Sequence, residues 1–314
     1  MSDDGMPARL LGTTRVVRYA ELRPCFHAFV DTRTPGSEAK ENFTIIGPGV
    51  SENPAQHVHI SEPHGFNVGG ARQPPGCVNS QHSHETAEVF VVLSGRWRFD
   101  LGEHGEDAQV LLGPGDLISL PTGVFRGFTN VGDDIGFLWA VLGEDDPGRV
   151  TWAPEVFKLA KDHGLILMEN GLLVDTAAGE RPPPHLKPLP PTTPAQAAAM
   201  KRLTQEQAAA IIVRAADEAD NPAILVIGAG GKLSWPHGFD VARYNLQSGA
   251  SSRRRQMDDK VVLFVQEGSA LVESNESSTL LLLGDTMTIA CGQAWKLAST
   301  NGARVYAVSR SPLA

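Results

Sequence analysis

Short apolar runs, broken by polar turns that contain glycine, fill two stretches of the chain. In the first, VFVVL (89–93) is a continuous apolar run closed by Ser94-Gly95, the pattern of a buried strand. RWRFDL (96–101) alternates instead, with Trp97, Phe99 and Leu101 on one face and Arg96, Arg98 and Asp100 on the other. The polar segment from Gly102 to Asp107 predicts a hairpin turn. QVLLGPGD, LISLPTG and GFLWAVLG continue as short strands with turns between them. The second stretch repeats the pattern as VVLFVQEG (261–268), SALVES, TLLLLGD, MTIACG and ARVYAVSR. Many short strands at close spacing predict an all-β fold of sandwich or barrel type.

The pattern changes between these stretches. PEVFKLAKDH (154–163) has helical spacing, with Pro154 in the first turn and Gly164 beyond the end. GERPPPHLKPLPPTTP (179–194) predicts an extended linker. Thr204 is placed to N-cap a helix running into AAAIIVRAADEA, with Ile211, Ile212 and Ala215 facing the protein.

The two β-rich stretches are copies of each other. PHGFNV (63–68) recurs as PHGFDV (236–241), an offset of 173 residues. The same offset carries Gly76 onto Gly249 and Gly95 onto Gly268. Further on, Gly115-Asp116 matches Gly284-Asp285 and Gly123 matches Gly292 at an offset of 169, so the second copy has lost four residues in a turn. Upstream, IIGPGV (45–50) resembles VIGAGG (226–231). Collinear matches with one small deletion indicate duplication of a single domain. The expected organisation is an arm (1–43), a first β domain (44–150), a helical and Pro-rich connector (151–221) and a second β domain (222–314).

Composition narrows the function classes. With 314 residues, 41% hydrophobic and 20% charged, the chain is long enough for two buried cores and is not disordered. A net charge of −9, from 27 basic and 36 acidic residues, weighs against nucleic acid or an anionic membrane as partner. Cys25, Cys77 and Cys291 form no CxxC pair, neither a disulfide framework nor a zinc ribbon. MSDDGMPARLLG lacks the apolar core of a secretory signal, and Lys201, Arg202, Glu206 and Arg214 interrupt the Ala-rich run 195–219. The expectation is a soluble, cytoplasmic protein.

The segment 76–95, GCVNSQHSHETAEVFVVLSG, holds the candidate chemistry. His82 and His84 are two apart, so on an extended strand both imidazoles leave one face. Glu88 lies an even number of positions further on and joins them if the strand continues or turns back at a hairpin edge. Two neutral imidazoles and one carboxylate suit a divalent first-row metal, with open positions for substrate or dioxygen.

These residues resemble the cupin superfamily. Its first motif, G, five residues, HxH, three residues, E, six residues, G, is matched without a gap by Gly76, His82, His84, Glu88 and Gly95. Its second motif is matched by Gly115, Pro121, Gly123 and Asn130, with Arg126 where the motif has His. The resemblance covers nearly the whole chain as a bicupin. It implies two small antiparallel double-stranded β-helix barrels and a metal inside the first. The second copy is degenerate: His82, His84, Glu88 and Arg126 map onto Arg255, Met257, Val261 and Trp295. No metal is expected there, and the run Arg253–Arg255 reads as solvated edge-strand charge.

Arg126 leaves three arrangements open. A metal sits on His82, His84 and Glu88 while Arg126 clamps an anionic or enolate substrate. Or Arg126 pairs with Glu88 and no metal binds. Or His57, His59 or His64 supplies the missing ligand. His64 and His237 occupy matching PHGF turns, which favours a structural role for both. Trp97, Phe99, Phe125, Phe128 and Trp139 line or pack the first barrel. By resemblance to quercetin 2,3-dioxygenases and gentisate-type ring-cleaving dioxygenases, the implied activity is that of a metal-dependent dioxygenase. One divalent ion per chain is implied, Fe(II) first, with Mn, Ni, Cu or Zn accepted by the same ligands. The implied partners are a phenolic or enolic small molecule, dioxygen and a second copy in a homodimer, with Glu88 and Arg126 in catalysis. The rivals are a metal-dependent isomerase, lyase or decarboxylase, and a metal-free binding bicupin.

Overall fold

The computed structural model describes residues 14–275 and 277–311. The first 13 residues of the expected arm, and with them the N-terminal segment read for a secretory signal, lie outside the described residues. The chain forms two units: Arg23–Ala215, and a second built from 216 onward together with the segment up to Leu22. Both are layered antiparallel sheets of jelly-roll type, with three short α-helices in the first.

In the N-terminal unit a seven-stranded sheet carries Glu88–Ser94 between Leu117–Leu120 and Gly136–Gly143. A five-stranded sheet places Val78–Ser83 between Arg126–Asn130 and Thr151–Trp152. The apolar run 89–93 is buried at every position, because both faces of its strand are covered. Trp97–Leu101 shows the alternation of a strand with one wet face: Trp97, Phe99 and Leu101 are buried and Arg98 and Asp100 are half-buried.

The C-terminal unit has a six-stranded sheet in which Val261–Gly268 lies between Thr286–Ile289 and Ala303–Arg310, and a three-stranded sheet containing Ala270–Ser274 and Trp295–Ala298. Arg15–Val17 adds an edge strand to the larger sheet, against Thr286–Thr288. Strand registers reproduce the sequence repeat. Phe90 pairs with Ile118 and Leu263 with Met287, which are the same positions under the offsets of 173 and 169. Gly76 and Gly249 share a left-handed backbone, with φ of 77° and 75°, that an L side chain rarely adopts.

The helix Pro154–Asp162 begins with Pro at its first turn and buries Val156 and Ala160, four apart on one face. Gly164 follows with φ 84°. Thr204 caps Gln205–Ala210 by a reciprocal capping box with Gln207. That helix is shorter than the sequence predicts. Ile212–Val213 leaves it and pairs as a strand with Leu117–Ile118. β-branched side chains pack better on a sheet edge than against a preceding helical turn. No helix among the described residues is long and apolar enough to cross a membrane.

Candidate metal centre

His82 is the penultimate residue of Val78–Ser83 and is flanked in register by Arg126 on one side and Trp152 on the other. The strand ends one residue later. Residues 84–87 turn the chain across to the seven-stranded sheet, where Glu88 opens its strand. A corner between two sheets, not a continuing strand, therefore brings the three residues together. One ligand atom from each of His82, His84 and Glu88 lies within 4.8 Å of the others, and all three residues are buried. The imidazole centroids are 5.1 Å apart and nearly perpendicular.

The protein fixes the tautomer of one ring. His82 Nδ1 donates to the Ser80 carbonyl at 2.7 Å, which leaves Nε2 with a lone pair. His84 Nδ1 is buried without a hydrogen-bond partner, and its Nε2 is 3.6 Å from Glu88 Oε1. Burial, and then the positive charge of Arg126, hold the His82 imidazole down at about pKa 3. The same causes hold His84 well below the usual range. Both rings are thus neutral at pH 7, the form that ligates a cation. Burial pushes the Glu88 carboxyl upward, and the adjacent guanidinium draws it back. An orphaned buried nitrogen, two neutral rings and a carboxylate form a donor set that fits a divalent ion.

Arg126 is committed elsewhere than to the cavity. Its Nη2 and Nε donate to Glu88 Oε2 at 2.5 and 3.2 Å, and Nη1 reaches the carbonyls of His82 and Val124 at 3.4 Å. The side chain is 1% exposed and does not line the cavity. This is the ion pair of the second arrangement read from the sequence. The guanidinium holds Oε2 and leaves Oε1 on the side of His84.

The remaining histidines stay apart. His59 is used at both nitrogens, Nδ1 to the Thr44 carbonyl and Nε2 accepting from Arg23 N, while His57 is exposed beside it. His64 Nδ1 donates to the Glu62 carbonyl, and His237 makes the same bond to Trp235. The repeated PHGF turn thus uses its histidine as a local brace. No third histidine joins the cluster among the described residues. Phe128 lines the cavity, while Trp97, Phe99, Phe125 and Trp139 are packed in the core and do not line it.

The cavity beside the cluster has a volume of about 80 Å³. His82, His84 and Glu88 meet an apolar wall of Phe29, Phe43, Phe90, Phe128 and Trp152. Phe29 and Phe43 come from the segment before the motifs and Trp152 from the stretch after them. None has the spacing of a motif, so sequence reasoning passed over them. The Trp152 ring packs 5.4 Å from that of His82.

Glu52 secures Trp152. Its Oε1 accepts from Trp152 Nε1 at 2.7 Å and its Oε2 from Val30 N at 2.6 Å. The residue keeps some surface in water, but burial of the carboxyl group raises its pKa from 4.5 to about 8. The native state then holds a proton that the unfolded chain releases above pH 4.5. The stability this proton brings is present at low pH and is lost as pH rises toward 8. After discounting for partial exposure, unfolding free energy should fall by about 1–2 kcal/mol between pH 6 and pH 8. In Glu52→Gln that slope should flatten, as read from urea midpoints across the range. An equally steep slope in the variant would refute the assignment.

In the C-terminal unit the corresponding strands face each other in the same register. Arg255 pairs with Trp295 as His82 pairs with Arg126. Among the described residues no cluster of metal-ligating groups forms there.

The cupin domain model matches residues 71–142. Over 78 residues the chain is 35% identical to acireductone dioxygenase 1 of Coprinopsis cinerea, covering 24% of this chain and 41% of the relative. It thus spans about two-fifths of the length of that relative. A salicylate 1,2-dioxygenase from Pseudaminobacter salicylatoxidans superimposes with a TM-score of 0.57 at 15% identity, over 99% of this chain and 88% of that one. The oxalate decarboxylase of Lactobacillus farciminis gives 0.58 at 11% identity, over 95% and 86%. The matched motif residues, the paired jelly-roll sheets in each half and these likenesses agree: the chain carries a cupin domain and has the fold of a bicupin.

Proposed function

We propose that the N-terminal unit is a mononuclear metal oxidoreductase, a dioxygenase acting on a small enolic or phenolic molecule. The ion, Fe(II) first among the candidates, is held by His82, His84 and Glu88. The observation that carries this reading is the convergence of two neutral buried imidazoles and a carboxylate at an apolar cavity. The dioxygenase names of the acireductone and salicylate proteins support it. A bound ion would supply a Lewis-acid and redox centre to substrate and dioxygen.

The chain's own groups then have separate tasks. Phe29, Phe43, Phe90, Phe128 and Trp152 exclude water from the reacting volume. Arg126 is a positioning residue that holds Glu88 Oε2. Glu88 Oε1, left free of the guanidinium, is the oxygen available to the ion; released from the ion it could instead take a substrate proton, and burial raises its basicity. A cavity of about 80 Å³ is small beside the roughly 150 Å³ that accommodates a benzene ring, so the fit favours a compact enolic substrate over an aromatic one.

The Arg126–Glu88 pair favours a second reading, a metal-free binding module. Metal analysis of the purified protein separates the two. The proposed enzyme contains about one ion per chain, and His82→Ala/His84→Ala loses it together with oxygen uptake on enolic substrates, by roughly 100-fold or more. Negligible metal in both proteins would establish the second reading. Turnover that proceeds without oxygen would instead place the chain among the isomerases, lyases or decarboxylases.

A further inference from the structure

The four positions that build the N-terminal site are rebuilt in the C-terminal unit with a different chemistry. Arg255, Met257, Val261 and Trp295 all line one cavity of about 270 Å³, together with Tyr244 and Asp240. The cation has changed strands. In the N-terminal unit Arg126 faces His82, and in the C-terminal unit Arg255, at the place of His82, faces Trp295, at the place of Arg126. Its counter-charge has gone as well, because Val261 stands where Glu88 pairs with Arg126. Among the described residues no carboxylate lies within ion-pair distance of Arg255. Asp240, the acid on the lining, has its carboxylate against the Gly228 turn and accepts from Ser311 Oγ at 2.6 Å.

Two further polar groups stand beside this cation. The Tyr244 hydroxyl is hydrogen-bonded to Arg255. Trp295 is 2% exposed, its ring packs edge-on to Tyr244 with centroids 5.9 Å apart, and its Nε1 has no hydrogen-bond partner. The buried Trp295 donor left unpaired is costly, and the solvent-exposed Arg255 guanidinium beside it is available to a ligand anion.

We propose that the C-terminal unit is a second small-molecule site, specific for a monocarboxylate on an apolar body about the size of one ring. The carboxylate takes the position opposite Arg255 that Glu88 takes opposite Arg126, and the body fills the space bounded by Met257, Val261 and Trp295. The cavity exceeds the roughly 150 Å³ that holds a benzene ring, so a ring carrying one carboxylate fits. A guanidinium at such a mouth binds a carboxylate in two-pronged fashion.

The test uses the full chain labelled with ¹⁵N and titrated with benzoate. The chain has five tryptophans, and Trp295→Phe identifies the indole resonance that belongs to Trp295. That resonance should move saturably with benzoate and should not do so with benzamide, which has the same shape without the charge. Arg255→Gln, at an exposed position, should weaken the binding about tenfold or more, as expected for loss of a charge-assisted bidentate contact. His82→Ala/His84→Ala should leave the titration unchanged. A Trp295 signal that ignores benzoate up to about 10 mM, responds equally to benzamide, or titrates identically in Arg255→Gln would overturn the proposal.

Discussion

Replacing Arg126 by Met should lower the stability of the metal-free N-terminal unit by about 3–5 kcal/mol. The reason is the carboxylate left behind. Glu88 and Arg126 are 6% and 1% exposed, and three guanidinium donors, Nε, Nη1 and Nη2, are used on Glu88 Oε2 and two backbone carbonyls. Met matches the stem but leaves a desolvated charge with no partner, and removing one member of a buried pair costs far more than removing both. The double variant Glu88→Gln/Arg126→Met should therefore recover most of the loss. A divalent ion should recover it too in Arg126→Met, because its charge replaces that of the guanidinium, and this rescue should vanish when His82 and His84 are also replaced by Ala. Chemical denaturation with and without added metal reads all four cases. A loss below about 1 kcal/mol in the single variant would show that the ion pair is dispensable.

Lys40→Met should be the next most damaging change, again by about 3–5 kcal/mol. Lys40 Nζ bonds to Asp31 Oδ1, and both side chains are 0% exposed. Asp31 Oδ2 also accepts from Ser80 N at 3.0 Å, and the Ser80 carbonyl accepts from His82. The buried pair thus anchors the strand that presents the first imidazole. Asp31→Asn/Lys40→Met removes both charges and should fall within about 1 kcal/mol of the parent. Because Lys40 also lowers the pKa of Glu52, the single variant should hold the Glu52 proton to still higher pH. Equal stability of the single and double variants would disprove an uncompensated charge at Asp31.

Much of this architecture was legible in the sequence because periodicity and repetition report on layers. The run 89–93, the alternation through 97–101 and the Thr204 cap all depend on neighbours close in the chain. The repeat offsets mapped His82 onto Arg255 and Arg126 onto Trp295, and the structure adds that His82 faces Arg126 and Arg255 faces Trp295 across their strands. The candidate cluster was legible as three residues, though not as the corner between sheets that joins them. What escaped depends on long-range packing. Nothing near Phe29 or Phe43 in sequence announces that they line one cavity with residues from Asn67 onward, or near Glu52 that it holds Trp152. The direction of Arg126 was equally beyond reach, since one residue type serves as substrate clamp or as counter-ion depending on which way its planar head turns. The helix expected beyond Ala210 failed for a related reason: an open sheet edge next to Ile212 outbid local propensity.

The guanidinium on Glu88 also bears on the order of events in the life of the molecule. Many small metalloproteins stay unfolded until their ion arrives, because no preformed site exists in the unfolded chain and ion binding supplies the folding free energy. Here Arg126 already balances the charge of Glu88 in a formed site, so the polypeptide can finish folding with no ion present. On the proposed reading, a divalent ion would then enter a finished site, its identity set by supply and ligand chemistry and not by the folding of the chain.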